Sequence, residues 1–391
     1  MNLDIVTPFQ IDIDQFVLHD LRQRLLIAKW PHARPGPGWN FGTDPDFMRG
    51  LHNYWLNGYD WSIAEKQLNR FPQYIAYVAT PDGDVIGIHF VIEEGSGENP
   101  RPLLMTHGWP GSFFEFMEII EPLAHPERFG GKAEDGLTVV VPSLPGHTFS
   151  EAPPRPLLPR EIAAAWARLM FDILGCPRFL TQGGDWGACI SAWLAFDEPQ
   201  AVAAAHFNMV GLRPYLDPAQ PLTEEEKAFI AKNKANLFWE TGYQQIQGSK
   251  PLTLAYGLSD SPIGLAAWLV EKFHGWSDRS ASEPPFTKDQ LLTNVMLYWV
   301  TNCINSSTWI YRAFFEKGSL TLGEGERIAV PCGYCFPSND LFAKPPSSWL
   351  ERLGNMVHRT DLTEGGHFMA LQAGDVLRRD MQAFFSKHGR F

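Results

Sequence analysis

The chain has 391 residues, 45% of them hydrophobic and 13% aromatic, including 14 Trp, and a formal net charge of −12. That is more than one simple core holds, with enough apolar mass for a large α/β domain, its additions and an apolar pocket. An acidic balance without any basic block argues against nucleic acid and anionic membrane surfaces as partners. Five widely spaced Cys fit a reducing compartment better than a disulfide framework. Met1 to Gln10 has neither the cationic start nor the apolar core of a signal peptide, and no apolar run reaches bilayer length. The expectation is a soluble, cytoplasmic protein without a membrane span, and a homodimer is compatible with it.

Residues 1–95 open with helical spacing over Ile13 to Lys29, stopped by Pro31 and the Pro35-Gly36-Pro37-Gly38 cluster. Asp44 caps a second helix through Leu56, and Trp61 to Asn69 forms a third. Strands are predicted at Tyr74–Val78 and Val85–Phe90 around Pro81-Asp82-Gly83-Asp84. His89 alternates with apolar neighbours there and reads as structural. The polar, Gly/Pro-rich run from Glu93 to Arg101 reads as a linker. Pro102–Thr106 is a buried strand that runs into His107-Gly108-Trp109-Pro110-Gly111. Helix over Phe113–Leu123, an apolar strand over Leu137–Pro142, an amphipathic helix over Pro159–Leu174 and a strand at Arg178–Gln182 follow. Val202–Met209 is the next strand, so the order is that of a parallel sheet covered on both faces. From about Gly211 to Gly323 the pattern is helical and aromatic, with starts at Thr223-Glu224-Glu225-Glu226 and Ser261-Pro262 and further helices over Thr287–Cys303 and Ser307–Phe315. Strands return at Arg327–Cys335 and Met356–Arg359, and Val376–Ser386 closes the chain as a helix. Cys332-Gly333-Tyr334-Cys335 lies inside an apolar run with no second Cys/His pair, which speaks against a redox or zinc role.

Gly183-Gly184-Asp185-Trp186-Gly187 sits between a strand and a helix in a G-x-Nu-x-G frame. Such a turn lifts its central side chain above the sheet. Here that side chain is Asp185, a carboxylate that attacks an electrophilic carbon directly and forms an ester. The HGWPG loop resembles the loop after the third strand of α/β-hydrolases, which gives half of an oxyanion hole. Pro110 has no N–H, so the donors are the N–H groups of Trp109 and Trp186. His107 reads as a brace for this loop. The acid Asp340 and the histidine His367 come late, each after a strand, in the order nucleophile, acid, histidine. Asp361 and Glu364 are rivals for the acid, but lie too near His367 to come from a separate strand end. His367, oriented by Asp340, would activate water against the Asp185 ester.

With these motifs the chain resembles the epoxide hydrolases of the microsomal and juvenile-hormone type. The resemblance rests on HGWPG at 107–111, GGDWG at 183–187 and Glu364-Gly365-Gly366-His367-Phe368. Pro8 to Pro31, ending in Trp30-Pro31, and Leu68-Asn69-Arg70-Phe71-Pro72 resemble that family's N-terminal extension, and Trp268–Phe273 its lid. It implies an α/β-hydrolase fold with a mostly parallel sheet, helices on both faces, a helical lid and an N-terminal extension. The division expected is 1–95 for the extension, 96–211 and 324–391 for the core and 212–323 for the lid. It further implies hydrolysis of a small apolar epoxide to a vicinal diol, in the manner of detoxifying enzymes, with no cofactor and no metal. By the same resemblance Tyr243 and Tyr311 match the two lid tyrosines that donate to the epoxide oxygen. His147-Thr148 departs from the aromatic and Gly usual in relatives. The alternative is a haloalkane or haloacid dehalogenase using the same Asp, and a non-enzymatic binder has no use for a water-activating histidine.

Overall fold

The structure is a computed structural model and describes residues 5–32, 36, 38–280 and 284–390. Pro35 and Pro37 of the first stop signal therefore lie outside the described residues. Among those residues one sheet of nine strands runs in the order β1-β2-β3-β5-β4-β6-β7-β8-β9. The strands are β1 Thr7–Phe9, β2 Gln73–Ala79, β3 Val85–Glu93, β4 Arg101–Thr106, β5 Leu137–Pro142, β6 Phe179–Gly183, β7 Val202–Phe207, β8 Ile328–Phe336 and β9 Gly354–Asp361. From β5 to β9 all neighbours are parallel, whereas β1, β2, β3 and β5 pair antiparallel. Residues 73–93 thus extend the same sheet as the later strands.

The reason for this division is visible in the strands themselves. Every residue of β5, β6 and β7 is buried, as a strand covered on both faces requires. In β2, by contrast, buried positions alternate with half-buried and exposed ones such as Tyr77. Helices Gln15–Leu26, Pro45–Asn57 and Trp61–Leu68 precede β2, and each is capped by an Asp side chain, Asp14, Asp44 and Asp60. Segment 113–124 is helical in two parts, a 3₁₀ turn Phe113–Phe116 and helix Met117–Ala124. The helix expected over 159–174 is α-helical only over Pro159–Arg168 and widens to a π turn at Leu169–Ile173.

Between β7 and β8 the chain is helical: Glu224–Glu240, Gly242–Ser249, Pro251–Asp260, Pro262–Gly275, Lys288–Thr301, Ile304–Ser307 and Trp309–Lys317. Thr223 and Glu226 form a full capping box at the first of these, as do Thr287 and Gln290 at Lys288–Thr301. This segment lies over the carboxyl edge of the parallel strands, where the loops carrying Trp109, Asp185, Asp340 and His367 meet. No helix among the described residues is long and apolar enough to cross a membrane.

Candidate active site

β6 ends at Gly183 and helix Trp186–Asp197 begins three residues later, so the chain reverses within Gly184 and Asp185. Asp185 takes φ 50°, ψ −131°, a conformation an L side chain rarely adopts. The flanking glycines are forced by contact. A Cβ at Gly183 would lie 2.2 Å from the Gly187 oxygen, and one at Gly187 1.9 Å from the Thr106 oxygen.

The turn presents the Asp185 carboxylate to two loops. Trp109 N–H donates to Asp185 Oδ1 at 2.8 Å. Gly108 permits that approach, because a Cβ there would sit 2.2 Å from the same oxygen. His367 Nε2 lies 3.2 Å from Asp185 Oδ2, and His367 Nδ1 lies 3.0 Å from Asp340 Oδ1. Both ring nitrogens face carboxylate oxygens, so both donate and the ring is an imidazolium. Burial works against that charge, but Asp340 and Asp185 outweigh it and raise the His367 pKa to about 10. Among the described residues no hydrogen bond joins the Trp186 N–H to the carboxylate. The rival acids lie elsewhere: Asp361 pairs with Arg359 at 2.7 Å, and Glu364 is exposed.

The other histidines near this centre hold the frame. The Leu144 N–H donates to His107 Nε2 at 3.1 Å, so Nδ1 carries the proton and donates to the Gly108 oxygen at 3.0 Å. Burial lowers the His107 pKa to about 4. His89 is fully buried, bonded to Ser143 Oγ and Gln73 Oε1 at 2.9 and 2.8 Å. Cys332 and Cys335 are buried free thiols on β8, and burial raises Cys332 to about 12, far from a reactive thiolate.

Above Asp185 a cavity of about 870 Å³ opens beneath the helical segment. Its wall carries Asp185, Trp186, Tyr243, Tyr311 and Phe314. Tyr243 stacks on Trp109 with centroids 5.3 Å apart, and Tyr311 meets Trp186 edge-on at 4.9 Å. The two tyrosine rings stand 5.6 Å apart. Burial raises both phenol pKa values above the ordinary tyrosine range, so both keep their protons. The buried Tyr311 hydroxyl faces the Tyr243 hydroxyl and the Trp186 indole without closing a hydrogen bond of good geometry to either, and Gln244 Nε2 donates to the Tyr243 oxygen at 3.1 Å.

Several residues that hold this arrangement carry no motif. Asn294 Nδ2 donates to the Pro110 oxygen at 2.7 Å, its Oδ1 accepts from Ser112 Oγ at 2.9 Å, and Tyr298 Oη donates to the Gly111 oxygen at 2.7 Å. Helix Lys288–Thr301 is thereby fastened to the HGWPG loop. The His367 N–H donates to the Trp276 oxygen at 2.9 Å, and Asn339 Nδ2 to the Ser277 oxygen at 2.8 Å. Glu115, one turn beyond HGWPG, also faces the centre, and the sequence reading passed it over.

Comparison with known proteins identifies the family and the fold. Residues 6–116 match the family described as epoxide hydrolase N terminus, and residues 101–238 match the alpha/beta hydrolase fold. A protein of Stigmatella aurantiaca assigned as an epoxide hydrolase is 37% identical over 383 residues, 97% of this chain and 84% of that one. Epoxide hydrolase 1 of Sus scrofa is 31% identical over 97% of this chain and 88% of its own length. The crystal structure of juvenile hormone epoxide hydrolase from the silkworm Bombyx mori superimposes with a TM-score of 0.84 at 28% identity, covering 98% of this chain and 95% of that one. With likeness of this degree along nearly its whole length, the chain belongs to the epoxide hydrolase family, enzymes built on the α/β-hydrolase fold.

Proposed function

We propose that the chain opens an apolar epoxide to a vicinal diol through a covalent ester on Asp185. Residues 212–323 act as the lid, over a core formed by 96–211 and 324–391, and residues 1–95 are the extension. A carboxylate oxygen of Asp185 attacks one ring carbon, and the carbon–oxygen bond of the ring breaks. The departing oxygen takes a proton from Tyr311 or Tyr243. The position of Tyr311 supports that role: its hydroxyl is buried on the cavity wall next to Tyr243, where it forms no close hydrogen bond that a ligand oxygen would have to displace.

Ester formation removes one of the two negative charges that keep His367 protonated. Its pKa then falls, and the proton it sheds restores the tyrosine. Neutral His367, still oriented by Asp340, takes a proton from water as the oxygen of that water adds to Cγ of Asp185. The tetrahedral oxyanion is held by the N–H groups of Trp109 and Trp186. Collapse breaks the acyl–oxygen bond, His367 returns its proton to the leaving alkoxide, and Asp185, left as the carboxylic acid, passes its proton to His367, so carboxylate and imidazolium are restored as the diol departs. No metal or organic cofactor enters these steps.

The observation that carries this reading is the His367 ring between the Asp185 and Asp340 carboxylates. His367→Gln tests it. With styrene oxide this variant should gain mass equal to one substrate, located on the peptide containing Asp185. Bound substrate without any such adduct would end the covalent mechanism. A dehalogenase reading has one observation in its favour: the Trp109 indole N–H is buried without an acceptor and the Trp186 indole closes no bond of good geometry, so the two could cradle a halide. Halide release from 1-chlorobutane, with styrene oxide untouched, would favour it.

A further inference from the structure

Two spaces meet at Asp185. The large cavity has the tyrosine pair on its wall. The second is an internal cavity of about 20 Å³ bordered by His107, Trp109, Glu115, Asp185, Asn208 and His367. It has room for one water and polar groups to hold it. Asp185 borders both spaces, and His367 and Glu115 border the small one.

Glu115 reaches this cavity because of its local chain. It lies in the 3₁₀ turn Phe113–Phe116, whose first bond runs from the Glu115 N–H to the Ser112 oxygen at 3.0 Å. The side chain folds back over the HGWPG loop. A Cβ at Gly111 would stand 1.5 Å from Glu115 Oε1, so the glycine is what leaves that place open. Burial raises the Glu115 pKa to about 8, with His367 pulling it down and Asp185 pushing it up. The remaining titratable groups around it are His107, on the same cavity, and Tyr298, fastened to Gly111. Burial keeps the first neutral and the second protonated.

We propose that Glu115 is a positioning residue for the hydrolytic water. Its carboxylate accepts one hydrogen of a single water in the small cavity while His367 Nε2 accepts the other. The water oxygen then meets Cγ of Asp185 from the side away from the large cavity. Substrate and water thus approach one carboxyl group from separate compartments, and the substrate need not leave room for water beside it. This rests on the covalent reading above. The ionised carboxylate is the stronger acceptor and cannot turn an O–H toward the water, so ester hydrolysis rises with pH through the Glu115 ionisation.

The test is rapid-quench mass spectrometry of the Asp185 ester with styrene oxide, on wild type, Glu115→Gln and Glu115→Asp, between pH 6 and pH 9. Glu115→Gln should form the ester within about twofold of the wild-type rate and hydrolyse it at least about tenfold more slowly. The rise in hydrolysis with pH should vanish in Glu115→Gln and persist in Glu115→Asp. Ester decay at the wild-type rate in Glu115→Gln, equal slowing of both steps, or a pH rise that survives the substitution would each overturn the proposal. Turnover in the wild type with no ester in any variant, His367→Gln included, would instead mean that the covalent reading itself has failed.

Discussion

His367 lies between two carboxylates, and Asp380 lies between two imidazoles. The second cluster sits on helix Gly374–His388, where Asp380 meets His206 Nε2 of β7 at 2.9 Å and His358 Nε2 of β9 at 3.0 Å. Thr360 Oγ1 donates to the same carboxylate at 2.5 Å. Both clusters are built from Asp and His in the same fold, and they end in opposite states. An imidazole flanked by two carboxylates is a cation whose charge depends on both partners, so neutralising one of them releases its proton. A carboxylate flanked by three donors is an anion that nothing nearby neutralises. Burial works against the Asp380 charge, yet the bonds from His206, Thr360 and His358 hold its pKa below the usual range. His206, with no exposed side-chain surface, moves the other way: burial lowers its pKa against the pull of Asp380. The first arrangement borders two cavities and a strained turn. The second pins a helix to two strands that flank β8, and it is structural.

The sharpest way to break this comparison is to remove one carboxylate from each cluster. Asp185→Ala should lower turnover by roughly 10⁴-fold or more, whereas Asp380→Asn should leave turnover per folded molecule within about twofold. Comparable losses would mean that the two clusters are not functionally distinct. Next in size is Tyr311→Phe, expected to slow formation of the Asp185 ester by about 10²-fold with ester hydrolysis little changed. Stopped-flow tryptophan fluorescence separates the two steps, and equal slowing would remove Tyr311 from ring opening. The smallest effect is on stability. Asp380→Asn should cost about 1–3 kcal/mol in urea denaturation at pH 7. The sign with pH follows from the lowered Asp380 pKa. Its contribution is present above the unfolded value of about 4 and is lost as pH falls toward the folded one. The gap between wild type and variant should therefore narrow on acidification. A gap of constant size from pH 7 to pH 3 would show that the Asp380 charge is not what stabilises the helix.

The sequence shows much of this site because its central residues sit in motifs with a steric cause. Gly183 and Gly187 mark the turn because backbone oxygens lie where their side chains would be, and Gly108 marks the approach to Asp185. Asp340 and His367 stand after strands, where the sheet topology places them together. Asn294, Tyr298 and Glu115 had no comparable signal. Each is a single polar residue in an apolar stretch, and its role comes from contacts across the fold. Asn294 and Tyr298, for example, meet a loop more than 180 residues away in sequence. Tyr243 and Tyr311 emerged from the resemblance alone, since aromatic residues are dense throughout 212–323. Helices Gly242–Ser249 and Pro251–Asp260 went unread because they are short and abut with only Lys250 between them. Thr148 shows a local conflict. Its φ of 46° is unfavourable for a β-branched side chain, and its hydroxyl donates to Ser143 Oγ at 2.9 Å.

The hold of Asn294 and Tyr298 on the Pro110 and Gly111 carbonyls couples the roof to the loop that carries the Trp109 donor. Lys288–Thr301 cannot lift without dragging the Trp109 donor off Asp185. The opposite flank is fastened to other parts of the site: in Glu224–Glu240, Glu226 meets Arg352 at 2.8 Å, Asn233 Oδ1 accepts from the Ala343 N–H at 2.7 Å, and Glu240 Oε2 accepts from the Trp276 indole at 3.0 Å. The far end of that helix exposes Phe238 and Trp239. A shift of Lys288–Thr301 is thus felt at the Trp109 N–H, and a shift of Glu224–Glu240 at residues 341–343 beside Asp340.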